Sequence, residues 1–277
     1  MQGYFSQLIL FIGFFSAVAW SAPELTLANQ YNKEIDLTQY WVSEKYDGVR
    51  AYWDGKTLYA RSGRKINAPV SFIAQLPSMA LDGELWFGRG QFSRANSLLK
   101  LTPDTSHYLA EWQAVRYLVF DTPSSTGSFA QRMALLNALP KQPNLEIVKQ
   151  ESISSHAELE RKLQAITTAG AEGLMLRRID APYRGGRSDD LLKLKLWLDA
   201  EATVLSYIEG KGKYQGRLGS LVAKLDDGRT IRIGTGFSDE ERLHPPQVGS
   251  RVTFRYLGLT STGLPRFPVY WRQRNDY

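Results

Sequence analysis

The residues whose types and spacing could do chemistry lie in Glu44-Lys45-Tyr46-Asp47-Gly48-Val49-Arg50, which sets one lysine after a strand-like run and directly before an Asp-Gly turn. A primary amine is a poor nucleophile while protonated, so a catalytic lysine needs cationic neighbours or a dry pocket, and an electrophile held in place. Arg50, on the strand that follows the turn, is expected to return toward the same site. Farther along, Leu192-Lys193-Leu194-Lys195 spaces two lysines by two residues. In a strand such residues share a face, so both ammonium groups can point into one pocket. Each feature has an ordinary counterpart when taken alone: a solvated lysine beside a turn, or an amphipathic strand with its lysines outward.

The elements that must position these residues follow from periodicity and turn chemistry. Glu24 to Asn32 is polar and short, and is expected to open the mature chain. Val49 to Trp53, Asp54-Gly55 and Thr57 to Arg61 predict a two-residue β-hairpin. Ala80 to Phe87 and Arg116 to Asp121 read as strands, the second buried. Ser128 to Ala138 has helical spacing with Pro140 as its stop, and Ser155-x-x-Glu158 predicts a capping box for a helix reaching about Thr168, with Gly170 beyond its end. Two more strands are expected at Glu172 to Arg177 and Leu191 to Leu196. Between them the Arg- and Gly-rich stretch Tyr183 to Asp190 reads as an exposed, mobile loop. The rhythm changes at Trp197 to Glu201. Beyond it five short strands, Ala202 to Ile208, Gly219 to Leu225, Arg229 to Gly234, Arg251 to Leu257 and Phe267 to Arg272, predict a small barrel of the OB type.

Bulk properties narrow the function. The chain has 277 residues, 43% hydrophobic and 22% charged, which suits one or two globular domains with real cores. A net charge of +6 is permissive for a phosphate-rich partner. There is no cysteine, which excludes disulfides, thiolate catalysis and cysteine-ligated zinc. His107, His156 and His244 are too scattered for a histidine metal cluster, whereas an oxygen-ligated Mg²⁺ remains open. Leu8 to Ala19 is a continuous apolar run, too short for a comfortable membrane span and suited to a secretory leader. Residues 1–22 are therefore expected to be a signal peptide cleaved after Ala19 or Ala22, without a stable membrane span in the mature chain, although the leader lacks Lys and Arg in its first residues. A periplasmic location follows from that expectation.

Lys45-x-Asp47-Gly48-x-Arg50 resembles the nucleotidyl-lysine motif of the covalent nucleotidyltransferases, and the rest of that family's set follows in order. Tyr59-Ala60-Arg61-Ser62 resembles the segment whose arginine contacts nucleotide and the nick phosphate, which implies that role for Arg61. Asp82-Gly83-Glu84 is similar to the motif whose glutamate sits near the ribose and the metal. Phe120 matches the aromatic that stacks on the purine, and Glu172-Gly173-Leu174-Met175 the motif whose carboxylate supports the metal. Lys193 and Lys195 match the pair that reaches the α-phosphate. Glu44 and Arg50 are placed in the nucleotide site by the same resemblance. Gly263-x-Pro265-Arg266-Phe267-Pro268 followed by Arg272, Arg274 and Asp276 resembles the end of DNA ligases, where a basic motif orients pyrophosphate. Arg274 and Asp276 are the candidates, although Tyr277 closes the chain where the pattern has a basic residue. Lys211, Lys213 and Arg217, interleaved with Tyr214 and glycines, are expected to meet duplex backbone.

The resemblance implies an α+β fold: an adenylation domain of antiparallel sheets and helices over residues 23–197, then a small all-β OB-fold domain over 198–277. It implies ATP and Mg²⁺ or Mn²⁺ as cofactors and nicked double-stranded DNA as partner of a monomeric ATP-dependent DNA ligase, serving repair, replication or recombination. Lys45 would become adenylated, AMP would pass to the 5′-phosphate of a nick, and the 3′-hydroxyl would displace it. Lys193, Lys195 and a metal held by Glu84 or Glu172 would neutralise charge building on the α-phosphate. The alternatives are an RNA ligase or mRNA capping guanylyltransferase sharing the lysine motif, and a binding module with vestigial catalytic residues.

Overall fold

The computed structural model describes residues 24–123, 125–260 and 262–274. The expected leader with its two cleavage positions, and Asp276, lie outside the described residues. In chain order the elements are β1 (Thr26–Gln30), β2 (Tyr40–Lys45), β3 (Val49–Trp53), β4 (Leu58–Ala60), α1 (Val70–Ile73), β5 (Leu81–Trp86), α2 (Phe92–Leu98), α3 (Tyr108–Ala114), β6 (Arg116–Asp121), α4 (Phe129–Asn137), β7 (Leu145–Ile147), β8 (Glu151–Ser152), α5 (His156–Thr168), β9 (Gly173–Arg178) and β10 (Gly186–Leu194). After these come β11 (Leu198–Glu209), β12 (Leu218–Leu225), β13 (Thr230–Ile233), α6 (Asp239–Leu243), β14 (Arg251–Tyr256) and β15 (Val269–Gln273).

The strands form three five-stranded sheets, ordered β1-β10-β9-β2-β8, β4-β3-β5-β6-β7 and β13-β12-β11-β14-β15. Alternation decides which way each strand faces. In β9 and β10, Leu174, Leu176 and Leu192 join Leu159 and Leu163 of α5 in one core, while Met175, Arg177 and Lys193 line a cleft on the other face. The second sheet buries Ala51, Trp53, Leu58 and Leu85 against Trp112 of α3 and Phe129, Met133 and Leu136 of α4. The third has its own core of Val204, Leu221, Ile233 and Phe254. Its strands match the five expected from sequence within a few residues, and a single parallel bridge, Thr235 to Val269, joins its two edges.

Three expectations are corrected. Tyr183 to Asp190 is not a loop throughout: Arg184 to Arg187 are exposed as expected, but residues from Gly186 onward belong to β10, because the polar opening segment forms β1 and pairs with them in parallel. Thr26 donates its hydroxyl to the Arg184 carbonyl at 2.8 Å, and Tyr183 donates to Asp82 at 2.8 Å, which pins the start of that stretch. The hairpin after β3 turns on Gly55 and Lys56, since the Asp54 carboxylate accepts from the amides of Lys56 and Thr57 while Asp54 N–H bonds Thr57. At α5, Ser155 caps as expected, but Glu158 reaches back to Ser154 instead of closing a reciprocal box. Reciprocal boxes occur at Ser128 with Gln131 and at Ser238 with Glu241. Gly170 does follow the helix end with φ +88°, the left-handed conformation that glycine adopts without cost.

Candidate active site

Lys45 ends β2, where the chain leaves the first sheet to begin the second at β3. The Asp47-Gly48 corner is thus a crossover between sheets. A side chain at Gly48 would meet the Leu85 carbonyl oxygen at 2.4 Å, so only glycine lets the crossover press against β5. Lys45 consequently stands in the cleft between the sheets, a cavity of about 590 Å³.

Two carboxylates define the electrostatics there. Glu172 bridges two lysines: Oε2 lies 2.5 Å from Lys45 Nζ, and Oε1 pairs with Lys195 Nζ. Burial pushes the Glu172 carboxyl up, but Lys45 and Lys195 outweigh it and hold the group below the ordinary carboxylate range. Gly173 makes the arrangement possible. Its φ is +153°, and an added Cβ would lie 2.3 Å from the Leu194 carbonyl oxygen, so glycine brings β9 and the Lys195 segment together. Lys193 lines the same cavity, its ammonium pushed down by burial and by Lys195, Arg187 and Lys45. Glu84, on the opposite sheet, has no ion pair among the described residues, and burial pushes its carboxyl up to about 8 against the opposing pull of Lys45 and Arg50.

The remaining sequence candidates divide by place. Arg50 is fixed by a two-pronged pair with Asp82 at 2.9 and 2.6 Å and by the Thr26 carbonyl at 2.7 Å, with its guanidinium 5.5 Å from the centre of the Phe120 ring. Phe120 is half-buried on the cavity wall, and Arg61 is exposed at its edge. Glu44 also borders the cavity, but its carboxylate is gripped by Arg89 at 2.9 and 2.7 Å. Lys211, Lys213 and Arg217 lie on the β11–β12 connection, outside the cavity lining. Arg274 pairs with Glu201 at the start of the third sheet and does not line the cavity either.

Arg187 and Arg266 also stand near the site, without a role read from the sequence. Arg187 lines the cavity from β10 and donates to the Ala28 carbonyl at 2.6 Å; its placement depends on the pairing of β1, which no local pattern announces. Arg266, between β14 and β15, reaches Asp47 at 2.9 Å and so ties the third sheet to the corner two residues beyond Lys45. Its signal was present in the Pro265-Arg266-Phe267-Pro268 stretch without a partner to attach to it.

The described residues contain no group of three or more His, Asp or Glu side chains arranged for a metal ion. The donor chemistry nevertheless fits one bound jointly with a phosphate ligand: Glu84 offers a half-buried carboxyl on the cavity wall with no ion-pair partner among the described residues, while Glu172 is already engaged by two lysines.

Residues 25–195 match the model of the ATP dependent DNA ligase domain, and residues 209–274 that of the DNA ligase OB-like domain. The chain is 35% identical to a DNA ligase of Haemophilus influenzae over 274 residues, 98% of this chain and 99% of the relative. It is similar, with 44% identity and a TM-score of 0.83, to a solved structure described as "DNA binding with a minimal scaffold: Structure-function analysis of Lig E DNA ligases", covering 91% of this chain and 99% of that one. The Chlorella virus DNA ligase-adenylate shares the fold at 24% identity and a TM-score of 0.55, over 93% of this chain and 100% of that one. Two domain matches in chain order, and a relative aligned almost end to end, place this chain in the family of ATP-dependent DNA ligases.

Proposed function

We propose that this ligase seals 3′-hydroxyl/5′-phosphate nicks in duplex DNA through an adenylate on Lys45 and then on the DNA. The observation that carries the assignment is the contact of Lys45 Nζ with Glu172 Oε2 at 2.5 Å, in a cleft that also holds Lys193 and Lys195. Glu172 orients the amine and is the nearest acceptor for its proton. As the Lys45 nitrogen bonds to the α-phosphorus of ATP, the bond to pyrophosphate breaks, and Lys193 and Lys195 neutralise the charge gathering on the α-phosphate oxygens. The nick 5′-phosphate then displaces Lys45 to give DNA-adenylate, and the 3′-hydroxyl displaces AMP to close the strand. Glu84, joined by Glu172 once Lys45 has left it to bond phosphorus, would hold Mg²⁺ or Mn²⁺, which would supply Lewis-acid stabilisation of the phosphoryl groups.

Phe120, Glu44 and Arg50 form the nucleotide site in this reading, Arg50 held in place by Asp82. Arg61 serves both nucleotide and nick phosphate, and Lys211, Lys213 and Arg217 hold the duplex backbone, in keeping with the net charge of +6. Arg274 and Asp276 orient pyrophosphate, a role that requires the third sheet to turn toward the cavity because Arg274 is paired with Glu201 outside it. The protein acts as a monomer, exported to the periplasm by residues 1–22 and used there in DNA repair or recombination, or in completing replicated strands.

The test is to incubate the leaderless protein and its Lys45→Ala variant with Mg²⁺ and α-labelled ATP or GTP, then to add nicked duplex. Label from ATP on the protein that is released as sealed DNA appears is the expected result. Label from GTP, or a charged protein that never seals DNA, would contradict the assignment.

A further inference from the structure

A row of side chains crosses the first sheet on its cleft face. Lys193 of β10 opposes Met175 of β9, and Met175 opposes Ser43 of β2. The pairing of Trp41 with Ser152 and Val42 with Glu151 continues to Ser43 and Gln150 as the next opposed positions. All four residues line the cavity. Adjacent strands lie about 4.8 Å apart, so three strand spacings separate the Lys193 and Gln150 backbone positions by about 14 Å. That is room for phosphate, sugar and purine side by side. At the Gln150 end the cavity is apolar, with Phe120 packed beside Val148.

Gln150 carries an anomaly at that end. Its Nε2 donates to the Val148 carbonyl at 3.3 Å, while its Oε1 is buried and accepts no hydrogen bond. The orientation of the amide follows from chemistry, because a backbone carbonyl only accepts and must face the NH₂ group. The Val148 backbone is itself held by its N–H bond to the Val119 carbonyl at 2.8 Å, so flipping the amide would set two carbonyl oxygens against each other. A buried acceptor without a partner is costly and is ordinarily satisfied by water or ligand.

Resting on the nucleotide site proposed above, we infer that Gln150 selects the base: its Oε1 accepts from the exocyclic 6-amino group of a purine stacked on Phe120. A 6-oxo purine would bring an acceptor to an acceptor and leave Oε1 unsatisfied. The preference for adenine over guanine nucleotides is thus set at the far end of the row whose near end holds the phosphate.

The experiment measures kcat/KM for forming the covalent protein–nucleotide adduct, in the full leaderless enzyme, with ATP, inosine triphosphate and purine riboside triphosphate, which lacks only the 6-amino group. Wild type is expected to favour ATP over purine riboside triphosphate by about tenfold, the scale of one buried hydrogen bond. Gln150→Met, similar in shape and without an amide acceptor, is expected to bring that ratio close to one, whereas Gln150→Glu, which keeps an acceptor, retains it. Equal use of the two nucleotides by wild type overturns the inference without recourse to any variant, as does an unchanged ratio in Gln150→Met. Absence of any adduct from every nucleotide in wild type would instead remove the lysyl-adenylate reading on which the inference stands.

Discussion

At the scale of single residues, the cleft sets two carboxyl groups in opposite states. Glu172 sits between Lys45 and Lys195 and is held ionised, whereas burial pushes Glu84 up to about 8. That difference has a measurable sign. Between an ordinary carboxyl value of 4.5 and about 8, the folded protein retains a proton on Glu84 that the unfolded chain releases. Stability from this group is complete below that window and falls as pH rises through it. Glu84→Gln has no proton to lose, so its Tm relative to wild type is expected to rise between pH 5 and pH 8.5, measured by thermal unfolding with chelator present. An equal difference at both pH values would show that Glu84 is ionised in the free protein. Added Mg²⁺ is expected to raise the Tm of wild type at pH 8.5 more than that of the variant, by favouring the charged carboxylate.

At the scale of elements, the spacing of the lysines is set by how β9 and β10 approach each other, and at Gly173 that approach leaves no room for a side chain. Gly173→Ala would place a methyl group against the Leu194 carbonyl and force the strands apart, at a cost of about 1–3 kcal/mol. Denaturant unfolding is expected to show that loss, together with slower adduct formation because Lys195 moves away from Glu172. Unchanged adduct formation would mean that the Glu172 bridge does not depend on this contact. Much of this was legible in the sequence. The alternation of Leu192 and Leu194 with Lys193 and Lys195 gave the face of β10, and the Asp-Gly and Glu-Gly pairs marked where carboxylates enter the cleft. The early strand β1 was not legible, because Thr26–Gln30 is short and polar and becomes a strand only by pairing with residues 186–193, far away in the chain. The same non-local pairing turned an apparent loop into β10 and brought Arg187 into the cavity. Nor could local pattern show that β2 and β3 belong to different sheets, which is what puts Lys45 in a cleft and not on a hairpin.

At the scale of the whole molecule, the Arg266–Asp47 contact is the single ion pair between the third sheet and the other two among the described residues. Both partners are largely buried, so removing one leaves the other's charge uncompensated. Arg266→Ala is expected to lower nick sealing by about tenfold, equivalent to a loss of roughly 1.4 kcal/mol, while adduct formation from ATP falls less, as read from the two steps assayed separately. An equal loss in both steps would place Arg266 in the chemistry of Lys45 and not in holding the two units together around DNA. Three lysines share one cleft, and which of them carries the nucleotide is read most directly by peptide mapping by mass spectrometry of the leaderless protein after reaction with ATP and Mg²⁺. One AMP per chain on Lys45, lost when nicked duplex is added, is the predicted result; AMP on Lys193 or Lys195, or an adduct that persists in Lys45→Ala, would contradict the account.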